Sequence, residues 1–337
     1  MVSLTEVQAS NAKIASYFPP GLVAVFVGAT SGIGETSLKQ FAKHSSAPRI
    51  YFIGRSQEAG DRITAGLNSL NGKGQYTFIK ADVSLIRVVD DVCQDIKSKE
   101  KAINLLVMSQ GTFVLGTETT EGLHMAMSLA CHSRNRFILN LLPYLHRAAH
   151  LRRVISVLGA GHEGPISSSD FQNRQTPMRR SRGHMNSMAT LSLEAIAATA
   201  PDVSFINGFP GLVDTGLLRG TTGPLMFAVR IAFRVMMPFR AIPNLEVGER
   251  FDFLATSAKY PSSEGGDAGV PIADGVEVAR GTTGEVGSGV YSLDQTGESS
   301  GLAVEAVLAQ MRAEGMVEKV WGHFEGEFKR ITGVVAV

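Results

Sequence analysis

Val25-Phe26-Val27-Gly28-Ala29-Thr30-Ser31-Gly32-Ile33-Gly34 reads as a buried strand, a glycine turn and the first turn of a helix. In a phosphate-binding turn the first glycine permits a tight bend. The second lets the backbone approach a pyrophosphate, and the third lets the helix pack on the strand. Gly28, Gly32 and Gly34 fill these places. The helix expected over Glu35–Lys43 offers free N–H groups and the positive end of its dipole to the phosphates. This stretch therefore predicts a dinucleotide site built from Gly28, Thr30, Ser31, Gly32, Ile33 and Gly34.

Working outward, Val23–Val27 and Ile50–Ile53 are continuous apolar runs, as expected of strands buried on both faces of a parallel sheet. The second run ends in Gly54-Arg55-Ser56. An acidic side chain at that point would bind the adenosine ribose of NAD, whereas Arg55 can pair with a 2′-phosphate, which favours NADP(H). The pattern continues with a helix over Gln57–Leu70, a strand over Tyr76–Lys80, a helix over Ile86–Lys99 and a strand over Ile103–Met108. A long helix over Glu121–Leu142, stopped by Pro143, then leads to strands Arg153–Val157 and Asp202–Asn207. Such alternation predicts right-handed βαβ crossovers and an α/β, doubly wound parallel sheet, the Rossmann fold. Val290–Leu293 reads as the last strand. A helix over Gly248–Thr256 precedes it, and C-terminal helices over Ala303–Ala313 and Val317–Ile331 extend the domain. The organisation expected is an N-terminal arm (1–20) and one extended domain (21–337). Within that domain lie a basic insert (162–183), a candidate substrate lid (217–247) and a glycine-rich excursion (261–289).

With 337 residues, 44% of them hydrophobic and 19% charged, the chain is long enough for a full α/β core. A net charge of +1 gives no sign of a nucleic-acid partner. Cys93 and Cys131 lie in apolar helical patterns without metal-ligand or CxxC spacing, so they read as reduced, buried thiols suited to a cytoplasmic protein. No metal site is expected. Met1–Pro20 is polar and lacks the apolar core of a signal peptide. Pro224–Pro243 is rich in Leu, Met, Phe and Val, but Arg230, Arg234 and Arg240 interrupt it, which argues against a membrane span. Because Arg230 and Arg234 share one face, it reads as an amphipathic helix. A lid over an apolar ligand is the preferred reading, with an interfacial patch or a core helix as alternatives.

The glycine spacing Gly28-x-x-x-Gly32-x-Gly34 resembles that of the short-chain dehydrogenase/reductase family, and so does Pro210-Gly211-Leu212-Val213-Asp214-Thr215. The resemblance implies that Asp82 and Val83 meet the adenine and that Gly111 borders the cofactor. It also implies that Pro210, Gly211, Val213 and Thr215 contact its nicotinamide end. Four catalytic positions of the family are substituted. Gly159 stands for the serine, His184 for the tyrosine, Met188 for the lysine and, by ungapped reading, Ala130 for the asparagine. The His184-x-x-x-Met188 helix and the tail Gly287-Ser288-Gly289-Val290-Tyr291 resemble a fungal subgroup tied to secondary metabolism. Family members commonly pair through the two long helices after the fourth and fifth strands, which suggests a homodimer.

These observations predict an NADP(H)-binding enzyme acting on a small lipophilic metabolite with the family's proton relay removed. The preferred reaction is non-redox: isomerisation, dehydration or cyclisation, with His184 as acid or base and His162, Glu163 or Arg134 assisting, the nucleotide being structural. Imidazole titrates near neutrality, so His184 could instead serve a ketone or enone reductase as proton donor. A third reading is a nucleotide-binding pseudoenzyme without turnover.

Overall fold

The computed structural model describes residues 1–114, 116–213, 231, 241–265 and 268–337. Its frame is a seven-stranded, wholly parallel sheet in the order β3-β2-β1-β4-β5-β6-β7. The strands are β1 (Val23–Val27), β2 (Arg49–Gly54), β3 (Gln75–Lys80), β4 (Leu105–Met108), β5 (Arg153–Val157), β6 (Ser204–Gly208) and β7 (Val290–Leu293). Helices α1 (Leu4–Asn11) and α2 (Ile14–Tyr17) precede the sheet. Those that follow are α3 (Gly32–His44), α4 (Gln57–Leu70), α5 (Ile86–Lys99), α6 (Met125–Met127), α7 (Ser133–His146) and α8 (Met178–Ala197). Beyond β6 lie α9 (Asn244–Thr256), α10 (Leu302–Ala313) and α11 (Met316–Thr332).

Alternation along each strand divides the core into two layers. Ala24 and Phe26 of β1 pack with Leu38 and Phe41 of α3 and Phe251 of α9. Val25 and Val27 turn the other way, toward Val92 of α5, Phe137 of α7 and Leu193 of α8. The apolar runs at β1, β4 and β5 are fully buried, whereas β3 is a half-exposed edge. The chain moves from β1 out to β3 and then returns to β4 on the other side. The carboxyl ends of β1 and β4 therefore border the crevice where ligands bind in such sheets.

Helices α4 and α5 have the bounds read from the sequence. The long helix does not. Residues 119–124 form a turn, in which the Thr119 N–H donates to the Leu123 carbonyl and the Gly122 N–H to the Thr119 carbonyl. Ser128–His132 is a π turn, and α7 then runs through Pro143 to His146. Pro143 lies in the last turn, so its missing N–H forfeits one bond without ending the helix. The π turn inserts an extra residue and rotates everything after it. Ala130, within it, packs in a cluster with Phe324 and Phe328 of α11, and Arg134 is the residue turned toward the strand ends.

Helix α11 lies on α8 and α5. Arg136 of α7, fully buried, is tied to it by bonds from Nη2 to Thr332 Oγ1 (3.0 Å) and from Nη1 to the Val334 carbonyl (2.9 Å). The C-terminal helix thus covers part of the surface formed by α8 and α5. The N-terminal arm docks through Asn11, whose Nδ2 donates to the carbonyl (2.9 Å) and Oε2 (2.7 Å) of Glu249. Cys93 and Cys131 are buried free thiols, and burial pushes Cys131 up to about 12. Among the described residues no helix is long and apolar enough to cross a membrane, and no His, Cys, Asp and Glu group could hold a metal.

Candidate active site

At the crevice, Gly28 has φ +78° and Gly32 φ +58°, conformations that favour glycine. A Cβ on Gly28 would stand 2.5 Å from the Gln110 nitrogen, and one on Gly34 2.3 Å from Ser109 Oγ. The glycines thus let the β1 turn meet the β4 turn. Helix α3 begins at this point with Ser31 extended and its hydroxyl making no capping bond, so its first N–H groups lack a side-chain cap. Glu35, in the first turn, would repel a phosphate. Burial raises its pKa, but Arg62 (2.7 and 2.8 Å) and Lys39 (2.6 Å) outweigh burial and hold the carboxyl below its usual value.

Thr30 packs on Gly54, where a Cβ would come within 2.2 Å of Thr30 Cγ2, and Ile33 packs on the core. Arg55, just past β2, is exposed and makes no ion pair among the described residues. The Ser84 N–H donates to Asp82 Oδ1 (3.1 Å), Val83 is buried and Gly111 is exposed at the β4 turn. Past β6, the Phe209 N–H donates to the Leu293 carbonyl (2.9 Å), and the Ile242 N–H to the Leu212 carbonyl (2.9 Å). Pro210 is half-buried and Val213 buried, and Gly211 has φ +76°. Thr215 lies outside the described residues, as does most of the 217–247 lid.

The end of β5 differs most from expectation. His184 is fully buried, its Nδ1 accepting from the Ser167 N–H (3.1 Å). Burial lowers its pKa against the opposing pull of the Phe171 backbone and the Asp170 charge. With Met188, which joins the cluster under α11, it occupies the helix face turned away from the strand ends. The residue opposite Gly159 is Asn186. The Gly159 N–H donates to Asn186 Oδ1 (3.1 Å), and a Cβ on Gly159 would stand 2.6 Å from Asn186 Nδ2. One turn on, Thr190 Oγ1 donates to Glu163 Oε1 (2.9 Å) and accepts from Asn207 Nδ2 (3.0 Å).

Glu163 Oε1 also accepts from Ser292 Oγ (2.6 Å), which in turn accepts from the Gly161 N–H (3.1 Å). Glu163 Oε2, Asn186 Nδ2 and Asn207 Oδ1 are buried without a hydrogen-bond partner. Unmade bonds of this kind are costly in a core, so the cluster is a candidate for function. Asn186, Thr190, Asn207 and Ser292 were not singled out from the sequence. A signal for two of them existed, because Asn186, Thr190, Leu193 and Ala197 form one stripe at helical spacing, whereas His184, Met188 and Leu191 form another.

Arg134 lies under the ends of β4 and β5. Its Nη1 donates to Ser156 Oγ (2.6 Å) and the Val157 carbonyl (2.9 Å), Nη2 to the Gln110 carbonyl (2.6 Å) and Nε to the Leu129 carbonyl (3.2 Å). Burial without a carboxylate lowers its pKa to about 10. It is a brace for the floor of the crevice and is itself buried. His162 is exposed, with Nδ1 3.2 Å from the Ala160 carbonyl and its ring edge-on to Phe209 (centroids 4.9 Å). In the basic insert, Arg174 pairs with Glu118 (2.8 Å), and Arg182 lies over the Phe209 ring (5.2 Å).

A family model described as short chain dehydrogenase matches residues 22–161. Oxidoreductase AN1596 of Emericella nidulans is 41% identical over 331 residues, spanning 96% of this chain and 97% of that protein. The NmrA-like family domain-containing oxidoreductase notO of an Aspergillus species is 40% identical over 336 residues, spanning 97% and 95%. Among solved structures, the Pseudomonas aeruginosa RhlG/NADP active-site complex aligns with TM-score 0.52 at 19% identity, covering 76% of this chain and 96% of that one. At that identity the likeness speaks for the fold alone.

Proposed function

The chain belongs to the short-chain dehydrogenase/reductase family, and from that premise we propose that it is an NADP(H)-binding enzyme that converts a small lipophilic metabolite by acid–base chemistry without net redox change. The reaction class is isomerisation, dehydration or cyclisation. One observation carries this reading. The face of α8 opposite Gly159 presents Asn186 and Thr190 in place of a phenol and an ammonium, with a carboxylate, Glu163, bound to Thr190.

The residues present fit the nucleotide on the phosphate side. Uncapped N–H groups at α3 and the glycine turn would hold the pyrophosphate, Arg55 the 2′-phosphate, and Asp82 with Val83 the adenine. Bound there, NADP(H) would supply hydride chemistry in an ordinary family member. On the nicotinamide side the chain offers Pro210, Gly211 and Val213, and one turn after Asn186 on α8 it has Thr190 rather than a cation to hold the ribose. Arg134 supplies no substitute contact, since its guanidinium is spent on carbonyls and on Ser156.

Proton handling falls to Glu163. A carboxylate removes a proton from a carbon acid and returns it to another atom of the same molecule, which is what an isomerisation or dehydration needs. The Thr190 and Ser292 hydroxyls hold Glu163 Oε1, so Oε2 is the oxygen left for the proton. A reductase using His184 would require that imidazole beside Gly159, the place Asn186 occupies. Phe113 after β4 and Met178 at the start of α8 are exposed apolar side chains, consistent with a lipophilic substrate.

The test is turnover of a mixture of lipophilic ketones and enones in the presence of NADPH, followed by nicotinamide absorbance and by mass spectrometry. The proposal expects a product of unchanged mass, or one lighter by water, with NADPH intact. Oxidation of NADPH in step with a product heavier by two hydrogens would establish a reductase instead. Binding without any product would leave the pseudoenzyme.

A further inference from the structure

The basic insert and the first turns of α8 carry a charge arrangement that the proposed chemistry does not use. Arg179, Arg180 and Arg182 fall in the first five residues of α8, a helix with no acidic residue in its first turn and no side-chain cap. Cations are unfavourable at a helix N-terminus, so local stability does not explain them. Arg174 is neutralised by Glu118. Arg182 makes no ion pair among the described residues. Its guanidinium carbon sits 5.2 Å from the centroid of Phe209, the residue directly after β6. The His162 ring meets the same phenyl group edge-on at 4.9 Å. With Nδ1 turned to the Ala160 carbonyl, its Nε2 is left facing outward on an exposed side chain. A guanidinium held by an aromatic ring rather than by a carboxylate keeps its donors for an incoming anion in a fixed fork.

We propose that Arg182, seated on Phe209 with His162 alongside, is an anion-docking site that selects substrates bearing a carboxylate on a flat, unsaturated carbon frame. The guanidinium takes the carboxylate by paired N–H···O bonds, and the frame lies against the aromatic surface of Phe209 and His162. Because Phe209 precedes Pro210 and Gly211, the carboxylate is held at the β6 end of the crevice. The reacting carbons are thereby directed toward Gly159 and Asn186. As a specificity site for the reaction this rests on the function proposed above; as a binding site it does not.

The experiment uses 2-naphthoate as the anionic probe and 2-acetonaphthone, of similar shape and neutral, as its control. Binding of each to the full chain and to Arg182→Gln is measured by isothermal titration calorimetry, with NADPH binding measured separately on both proteins. The substitution is on an exposed side chain, and an unchanged Tm verifies that the variant is folded. The expected result is that 2-naphthoate binds the native chain and loses affinity about tenfold or more in Arg182→Gln, the loss of a charge-assisted pair. The neutral ketone should change less than about twofold. Equal binding of both probes, an Arg182→Gln variant that retains 2-naphthoate, or no binding of 2-naphthoate at all would overturn the proposal. Arg182-dependent binding in a chain that fails to bind NADPH would uphold the docking site and remove the proposed function.

Discussion

Replacing Arg136 by Met should destabilise the chain by about 3–5 kcal/mol, because it leaves one member of a buried ion pair behind. The guanidinium meets Asp90 with both limbs, Nε to Oδ1 at 2.6 Å and Nη2 to Oδ2 at 2.7 Å. Its remaining bonds go to Thr332 and Val334, and it lies 5.3 Å from the Phe328 ring. Arg136 is 0% and Asp90 7% exposed, so water cannot replace what is lost; only Asn140 Nδ2, at 2.8 Å, stays with the carboxylate. At roughly 2–4 °C per kcal/mol for a large domain, Tm should fall by about 6–20 °C. Urea unfolding followed by fluorescence of Trp321, the single tryptophan of the chain and a residue of α11, reads the effect at the helix concerned. The double variant Asp90→Leu/Arg136→Met should recover much of the loss, since no charge is then stranded. A loss below about 1 kcal/mol for Arg136→Met would refute the claim that this pair anchors α11.

Acid should weaken the fold through His132, whose pKa burial lowers to about 3, with the His323 charge adding to it. The unfolded chain then binds more protons between about pH 6.5 and about pH 3, so stability is full above that window and falls as pH drops through it. His132→Gln should flatten the decline in urea titrations at stepped pH; an unchanged slope would assign it elsewhere. Glu163→Gln should lower turnover by about 10²–10⁴-fold, whereas His184→Phe should cost less than about tenfold. The reverse order, measured on product formation with the substrate found in the mixture assay, would return the catalytic role to the imidazole.

The sheet was legible because its signals are local. An apolar run such as Val23–Val27 declares a strand buried on both faces, and Gly28, Gly32 and Gly34 declare the turn after it. The glycine turn after β1 could be read for the same reason. The reaction end could not, because a helix turns about 100° per residue and a small miscount changes which side chain faces the strands. The ungapped count selected Ala130, whereas Arg134, four positions on, is the side chain turned toward the strand ends. Between β5 and α8 a segment of 20 residues (158–177) erased the count altogether, and a motif spacing selected His184 and Met188 from the stripe that packs under α11. The bond from Ser292 to Glu163 spans 129 positions and has no local signature. The C-terminal helices were read only as an extension of the domain, and the contact of α11 with α8 and α5 has no local signature either.

The most direct test of the central claim, a nucleotide site kept while the proton relay was replaced, is a titration of the purified chain with NADPH and NADH by nicotinamide fluorescence, repeated on Arg55→Ala. The account predicts that NADPH binds more tightly than NADH and that Arg55→Ala weakens NADPH by about tenfold or more with NADH little changed, the loss of one charge-assisted phosphate contact. Absence of binding for either nucleotide, or an equal loss for both, would contradict it.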